Sequence, residues 1–332
     1  MSGNEMRHMS PLNPAFKPRF DDAEIVKRLK KPTGPVDVVF DSDTYNEVDD
    51  QFALVYMLRN SDRMDVRALY AAPYYNDRSS SPQDGMEKSY QEMQKILSLC
   101  GRKELCDKLY HGSSRYLPSE TEPVISDAAN NLAELAMRYT GENPLYVIAI
   151  GAITDIASAL LINPEIKDRI VVIWLGGHAL DWPDNYEFNL RQDIAAARVL
   201  YGSGAAIVML PGRGVVSAFS ISRPELEYWL LGKNELCDYL AKAAIEYGEK
   251  HFDLPTWTKP IWDVTAVGWL LGNDFMYDRW ETSPIPEYDN QWGVDQTRHL
   301  IKYVYFINRD KLFYDLFQKI TGETLLSKAA VK

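Results

Sequence analysis

Three cysteines in 332 residues leave nothing from which to build a disulfide framework. Cys100, Cys106 and Cys237 also lack the paired CxxC spacing of a structural zinc site, so a reducing, cytoplasmic setting is expected. No apolar run approaches the ~20 residues of a membrane helix. The stretch from Met1 to Phe20 carries charges and prolines rather than the apolar core of a signal peptide. Positive charge is in deficit, with 36 Lys and Arg against 47 Asp and Glu and a formal net charge of −11. Bulk attraction to nucleic acid or to an anionic membrane is thereby disfavoured. Internal repeats and low-complexity stretches are absent. What remains is a chain that is 46% hydrophobic and 12% aromatic, ample for a packed core, with a surplus of carboxylates to be placed.

Met1 to Pro35 reads as a leader with five prolines at its end and middle (Pro11, Pro14, Pro18, Pro32, Pro35) and one short helix near Asp22 to Lys30. Val36 to Phe40 is β-branched and apolar, hence a buried strand, and it runs into Asp41-Ser42-Asp43. Phe52, Ala53, Tyr56 and Met57 recur at helical spacing, which starts a helix near Asp49. Strand patterns at 66–72, 109–112, 145–150, 170–175 and 205–210 then alternate with helical ones at 83–99, 127–139, 153–161 and 194–201. This alternation predicts an α/β fold, an open and mostly parallel sheet with helices on both faces. After Pro211 the pattern is more helical (223–231, 235–249, 262–271), with a late strand at 298–307. No linker is evident, so residues 36–332 are expected to form one domain behind the leader 1–35.

Asp41, Asp43, Asp49 and Asp50 fall within ten positions at the end of the first strand. In open α/β sheets ligands bind outside the carboxyl ends of strands. Like charges crowded there repel unless a cation or a proton intervenes. A hard divalent ion with oxygen ligands resolves the conflict. Asp49 and Asp50 would also suit a helix N-terminus, but that does not account for Asp41 and Asp43 directly after a buried strand.

The segment Phe40-Asp41-Ser42-Asp43-Thr44-Tyr45-Asn46-Glu47-Val48-Asp49-Asp50 resembles the N-terminal aspartate motif of the nucleoside hydrolases, calcium-dependent N-ribohydrolases. The gap between the two aspartate pairs is two residues longer here, with Thr44 to Val48 replacing a shorter Pro-Gly turn. Later segments follow in the family's order. Ile150-Gly151-Ala152-Ile153-Thr154-Asp155 is similar to its Gly-x-Leu-Thr-Asn turn, Trp174-Leu175-Gly176-Gly177 to its Met-Gly-Gly segment, and Glu187-Phe188-Asn189 to its sugar-binding triplet. Asp193 sits where the family has Asp, and Trp262-Asp263 aligns with a His-Asp pair. The resemblance runs roughly from Val36 to Asp274.

The resemblance implies a Rossmann-like nucleoside-hydrolase fold and hydrolysis of the N-glycosidic bond of a ribonucleoside or related pentoside. It implies Ca²⁺ held by Asp43, Asp50, Asp263 and the main-chain carbonyl of Ile150, with Asp43 also the general base. Asp49 would accept bonds from sugar hydroxyls, Glu187, Asn189 and Asn76 would bind the rest of the sugar, and Asp41 would orient its neighbours from behind. Homodimers or homotetramers are the family's habit.

Each of these residues also has a plainer reading. Glu187, Asn189 and Asn76 suit surface turns, Asp263 suits a helix cap, and Asp155 suits a first-turn helix charge. Trp262 stands where many members place a His that protonates the departing base, and it has no acidic proton to give. It can stack on the leaving ring instead, or another acid can substitute: His178, Asp184 and His251 are the candidates among only five histidines and the nearby loops, His178 the best placed. Tyr74, Tyr75, Trp182, Tyr186, Trp257 and Trp262 either line a pocket or fill the core. Two other classes stay open. Asp41-x-Asp43 also fits haloacid-dehalogenase-type phosphatases, although Tyr45 replaces their Thr or Val. A non-catalytic binder of sugar or nucleoside that lost the leaving-group acid is the other.

Overall fold

A computed structural model describes Phe16 and residues 22–272 and 274–325. The rest of the leader lies outside the described residues. Asp22–Arg28 is helical as expected, and Ile25 and Leu29 are buried in the core.

Eight strands form one sheet in the order Leu109–His111, Met64–Ala71, Val36–Ser42, Leu145–Ala149, Ile170–Leu175, Ala206–Leu210, Leu300–Ile307 and Met276–Thr282. All neighbours are parallel except the last pair. The mostly parallel sheet with helices around it is the one expected from the sequence. Successive side chains of a strand point to opposite faces, and the core divides accordingly. Val38, Phe40, Ile148, Ile173 and Val208 join one apolar cluster, whereas Val39, Val147, Val172, Trp174 and Ile207 join the other. Both faces are dry, so these strands read as continuous apolar runs rather than alternating ones.

The strand Met276–Thr282 and the helices Phe188–Gln192 and Arg309–Thr321 were not visible in the pattern. Met276–Thr282 is an antiparallel edge strand carrying Asp278, Arg279 and Glu281 on a half-buried surface, which hides the apolar period. The helix near Asp49 spans Asp50–Leu58 and is buried on every side, the signature of a core helix. Among the described residues no helix is long and apolar enough to cross a membrane.

The strand order reverses beside Val36–Ser42. Its neighbour on one side is the next strand in the chain, and on the other side the strand Leu145–Ala149. A crevice opens at such a reversal, at the carboxyl ends of the strands. Asp41 pairs with Ala149 and Ala149 with Trp174, so the ends of three strands, with Asp43, Ile150 and Leu175 just beyond, lie abreast there.

Candidate active site

The first strand delivers its aspartates into this crevice. Asp41, Asp43, Asp49 and Asp50 are all buried, at 0–1% exposure. The Asp43 carbonyl accepts the Asn46 N–H at 2.7 Å, which turns the chain back so that Asp49 and Asp50 face the same space. Asp49 is the N-cap residue of the helix but makes no side-chain cap bond, which leaves its carboxylate for the crevice. Asp263 arrives from a distant segment. The short antiparallel pair Ser220–Ser222 and Thr258–Pro260 brings the chain in, and the Ile261 N–H donates to the Phe219 carbonyl at 2.9 Å. Asp263 precedes the buried helix Val264–Leu271 and likewise makes no side-chain cap bond.

One cavity of about 320 Å³ is lined by Asp43, Asn46, Glu47, Asp49, Asp50, Ile150, Leu175, His178, Tyr186, Glu187, Phe188, Asn189, Arg191, Gly212, Arg213, Trp262 and Asp263. Asp49, Asp50 and Asp263 each offer a carboxylate oxygen, all within 4.8 Å of one another. Asp43 pairs with Asp50. Burial pushes the Asp43 and Asp263 carboxyls well above the ordinary range, and neighbouring carboxylates push them further. Asp50 is raised to about 7 by burial and then by Asp49, although the Ser42 hydroxyl, donating at 2.7 Å, opposes the shift.

Four buried carboxylates need a cation, and the chain supplies one that the sequence did not announce. Lys259, at 2% exposure, donates to Asp49 Oδ1 at 3.0 Å and also contacts Glu47. Burial opposes its charge, but Asp49 and Glu47 more than offset that and hold the ammonium above its usual value. One cation does not satisfy the set, because Asp43 Oδ2 and Asp49 Oδ2 remain buried without a hydrogen-bond partner.

The opposite wall is built from backbone. Asn189 Nδ2 donates to the Ile150 and Leu175 carbonyls, both at 3.0 Å, and so ties two strand ends together. Glu187 caps the five-residue helix Phe188–Gln192 and accepts the N–H groups of Gly177, Asn189 and Leu190 at 2.8–3.0 Å. Burial raises its carboxyl, and those three donors oppose the rise. Gly151 is dictated by proximity: a Cβ there would lie 3.1 Å from the Asp43 nitrogen and 3.2 Å from Asp43 Cγ. Gly177 has φ +82°, and a Cβ would sit 2.4 Å from the Trp292 ring.

His178 lines the cavity with Nδ1 accepting the Arg213 N–H at 3.3 Å. Burial and then the Arg213 charge lower its pKa to about 4, so the ring is neutral near pH 7 and Nε2 carries the proton. Asp184 and His251 do not line the cavity; Asp184 accepts the Tyr186 N–H, and His251 stacks on Tyr247. Asn76 stands one residue behind the wall, its amide donating to Asn46 Oδ1 at 2.6 Å. Asp41 is behind the floor, both oxygens unpartnered and its carboxyl raised by burial and then by Asp155. Asp155 occupies the first turn of its helix but is fully buried and accepts Ser113 and Ser126 hydroxyls. Of the aromatic candidates, Tyr186 and Trp262 line the cavity; Tyr74 and Trp257 are buried elsewhere.

Residues 38–299 match the family described as inosine-uridine preferring nucleoside hydrolase. The chain belongs to this family. It is accordingly a hydrolase acting on N-glycosyl compounds, and nucleoside hydrolases act on small-molecule nucleosides. It is 25% identical over 269 residues to a pyrimidine-specific ribonucleoside hydrolase, RihA, of Citrobacter koseri, covering 73% of this chain and 82% of the relative. A purine-preferring ribonucleoside hydrolase from Gardnerella vaginalis has a similar structure, with a TM-score of 0.71 and 20% identity over 86% of this chain and 98% of that one. A plant nucleoside hydrolase superposes with a TM-score of 0.70 at 16% identity, covering 87% of this chain and all of that one.

Proposed function

We propose that this nucleoside hydrolase cleaves the N-glycosidic bond of a ribonucleoside or related pentoside in one displacement, with Asp43 as the general base and Ca²⁺ as the metal. The reading is carried by the convergence of Asp43, Asp49, Asp50 and Asp263 on one cavity with buried carboxylate oxygens still lacking a partner. Asp43, Asp50, Asp263 and the Ile150 carbonyl, which all line the cavity, would make an all-oxygen set that suits a hard divalent ion better than a thiophilic one. Such an ion, when bound, lowers the pKa of the attacking water and screens the carboxylates from one another.

Asp43 takes the proton of that water. Asp49, with Oδ1 committed to Lys259, presents Oδ2 to the vicinal sugar hydroxyls. Asn189 and Glu187 seat the rest of the sugar, and their bonds to backbone keep them from moving. Asp41 backs the floor, its carboxylate making no side-chain bond of its own among the described residues. A single displacement inverts the anomeric carbon, as in two-carboxylate glycoside cleavage. Trp262 offers a face to the leaving ring, and neutral His178 donates a hydrogen bond from Nε2 rather than a full proton. The protein is proposed to be a cytoplasmic homodimer or homotetramer in which residues 36–332 act as one catalytic domain.

A panel of purine and pyrimidine nucleosides, p-nitrophenyl riboside and other pentosides, assayed with Ca²⁺ and with a chelator, tests this. Chelator-sensitive release of ribose is the expected result. Turnover of p-nitrophenyl riboside alone would mean that the ring needs an activating group this site lacks. Sugar and Ca²⁺ binding without any turnover would leave a binding protein and end the catalytic reading.

Thermal stability supplies a second test. Burial and like charges raise Asp43, Asp50 and Asp263 in the folded state, so the metal-free folded chain binds more protons there than the unfolded one. The contribution of these groups is therefore least unfavourable at low pH and worsens as pH rises through their folded pKa values, Asp50 near 7. Metal binding needs the deprotonated forms. The gain in melting temperature on adding Ca²⁺ is expected to grow between about pH 5 and pH 8. A gain that shrank over that range in a calorimetric scan would remove these carboxylates from the binding site.

A further inference from the structure

We propose, building on the ribosyl-hydrolase reading, that the favoured substrate carries a phosphoryl group on the C5′ oxygen of its ribose, held by Arg191 and Arg213. The floor of the cavity is acidic, yet both arginines line its outer part and are exposed. Carboxylates outnumber cations in this chain, and Arg198, Arg223 and Arg309 all engage them. Among the described residues Arg191 and Arg213 form no ion pair. Arg191 lies over the rings of Tyr186 at 4.6 Å and Phe188 at 5.1 Å, with a 3.3 Å bond to the Tyr186 hydroxyl. Those contacts hold the guanidinium in place while most of its N–H donors stay free.

Position decides which part of a substrate the pair meets. If the carboxylate floor takes the vicinal hydroxyls and Glu187 with Asn189 the rest of the ribose, the C5′ end points at Glu187. Arg191 follows Glu187 by one helical turn. Arg213 follows Gly212, whose Cβ position would be 3.4 Å from Glu187 Cγ and 3.5 Å from His178 Nδ1. Both arginines thus frame the C5′ end. Glu187 forms no ion pair with either arginine; the Arg191 charge acts on it only through space, while its oxygens accept the Gly177, Asn189 and Leu190 N–H groups. A hydroxymethyl group has no use for two guanidinium forks, whereas a phosphate dianion matches them in charge and geometry.

Calorimetric titration of the full chain in Ca²⁺ with ribose 5-phosphate and with ribose tests the proposal without relying on turnover. Ribose 5-phosphate is expected to bind at least roughly tenfold more tightly. Arg191→Met and Arg213→Met should each remove most of that advantage without weakening ribose, and added salt should weaken the phosphate alone. Equal binding of the two sugars, no binding of ribose 5-phosphate, or variants that weaken both sugars alike would overturn it; the last would place the arginines on the sugar or base. A phosphate advantage alongside no hydrolysis of any nucleoside or its 5′-phosphate sinks the hydrolase reading and leaves this one standing. Nucleoside hydrolysis without a phosphate advantage does the reverse.

Discussion

Asp43→Asn is expected to lower kcat by about a thousandfold while the folded structure survives. The substitution keeps size and shape but takes away the group that accepts the proton. Stability does not explain why Asp43 is retained. It is buried, its Oδ2 has no partner, and Asp50 and Glu47 oppose its charge. An amide relieves that repulsion, so the metal-free variant should melt at the same temperature as the parent or higher. Loss of activity together with undiminished stability separates a chemical role from a structural one. Steady-state kinetics and a thermal melt on one preparation give both numbers, and a variant that kept full activity would take the base role away from Asp43.

The second large effect falls on stability. Lys259→Met should destabilise the metal-free protein by about 3–5 kcal/mol, the range for removing one partner of a buried ion pair. The side chains of Lys259 and Asp49 are each 2% exposed, so neither can turn to water when the other is gone. Methionine fills much of the space left by the methylene stem, so the loss reports on charge rather than on a cavity. Lys259→Arg, which keeps the charge, should lose less. Ca²⁺ should recover part of the loss in the methionine variant, because it places positive charge beside Asp49, whose carboxylate lies within 4.8 Å of those of Asp50 and Asp263. Urea unfolding with and without the ion measures all three quantities. A loss below about 1 kcal/mol would mean that the ammonium is incidental to the aspartate cluster.

The distribution of what could be read in advance has physical causes. Strands buried on both faces announce themselves as short apolar runs, so Val36–Ser42, Leu145–Ala149 and Ile170–Leu175 were legible to within two residues. The aspartates were legible because a charge directly after such a run has few reasons to be there. Asp263 needed the family resemblance, since its segment resembles any helix start. Lys259 was invisible: a lysine between a threonine and a proline reads as surface until the Ser220–Ser222 pairing folds it inward. Asn46 and Glu47 lay within the aspartate motif itself, and the longer gap there was the available signal. Arg213 could have been found by asking which side chains follow the end of Ala206–Leu210, the neighbouring strand of the same sheet. Asp155 shows the limit of local reasoning, because its place in a first turn is as expected while its burial against Ser113 and Ser126 depends on segments far away.

The bond from Lys259 to Asp49 spans 210 positions of the chain. A contact of that sequence separation closes a very long loop, and the entropy of closing it falls due before the contact rewards it. Assembly of the aspartate cluster is therefore expected late in folding, after the strands that present its first members. Until then the chain offers a cation the local segment from Asp41 to Asp50 without Asp263. An ion that recognises the finished cluster acts as a latch on the native state, slowing its opening and leaving the rate of its formation almost untouched.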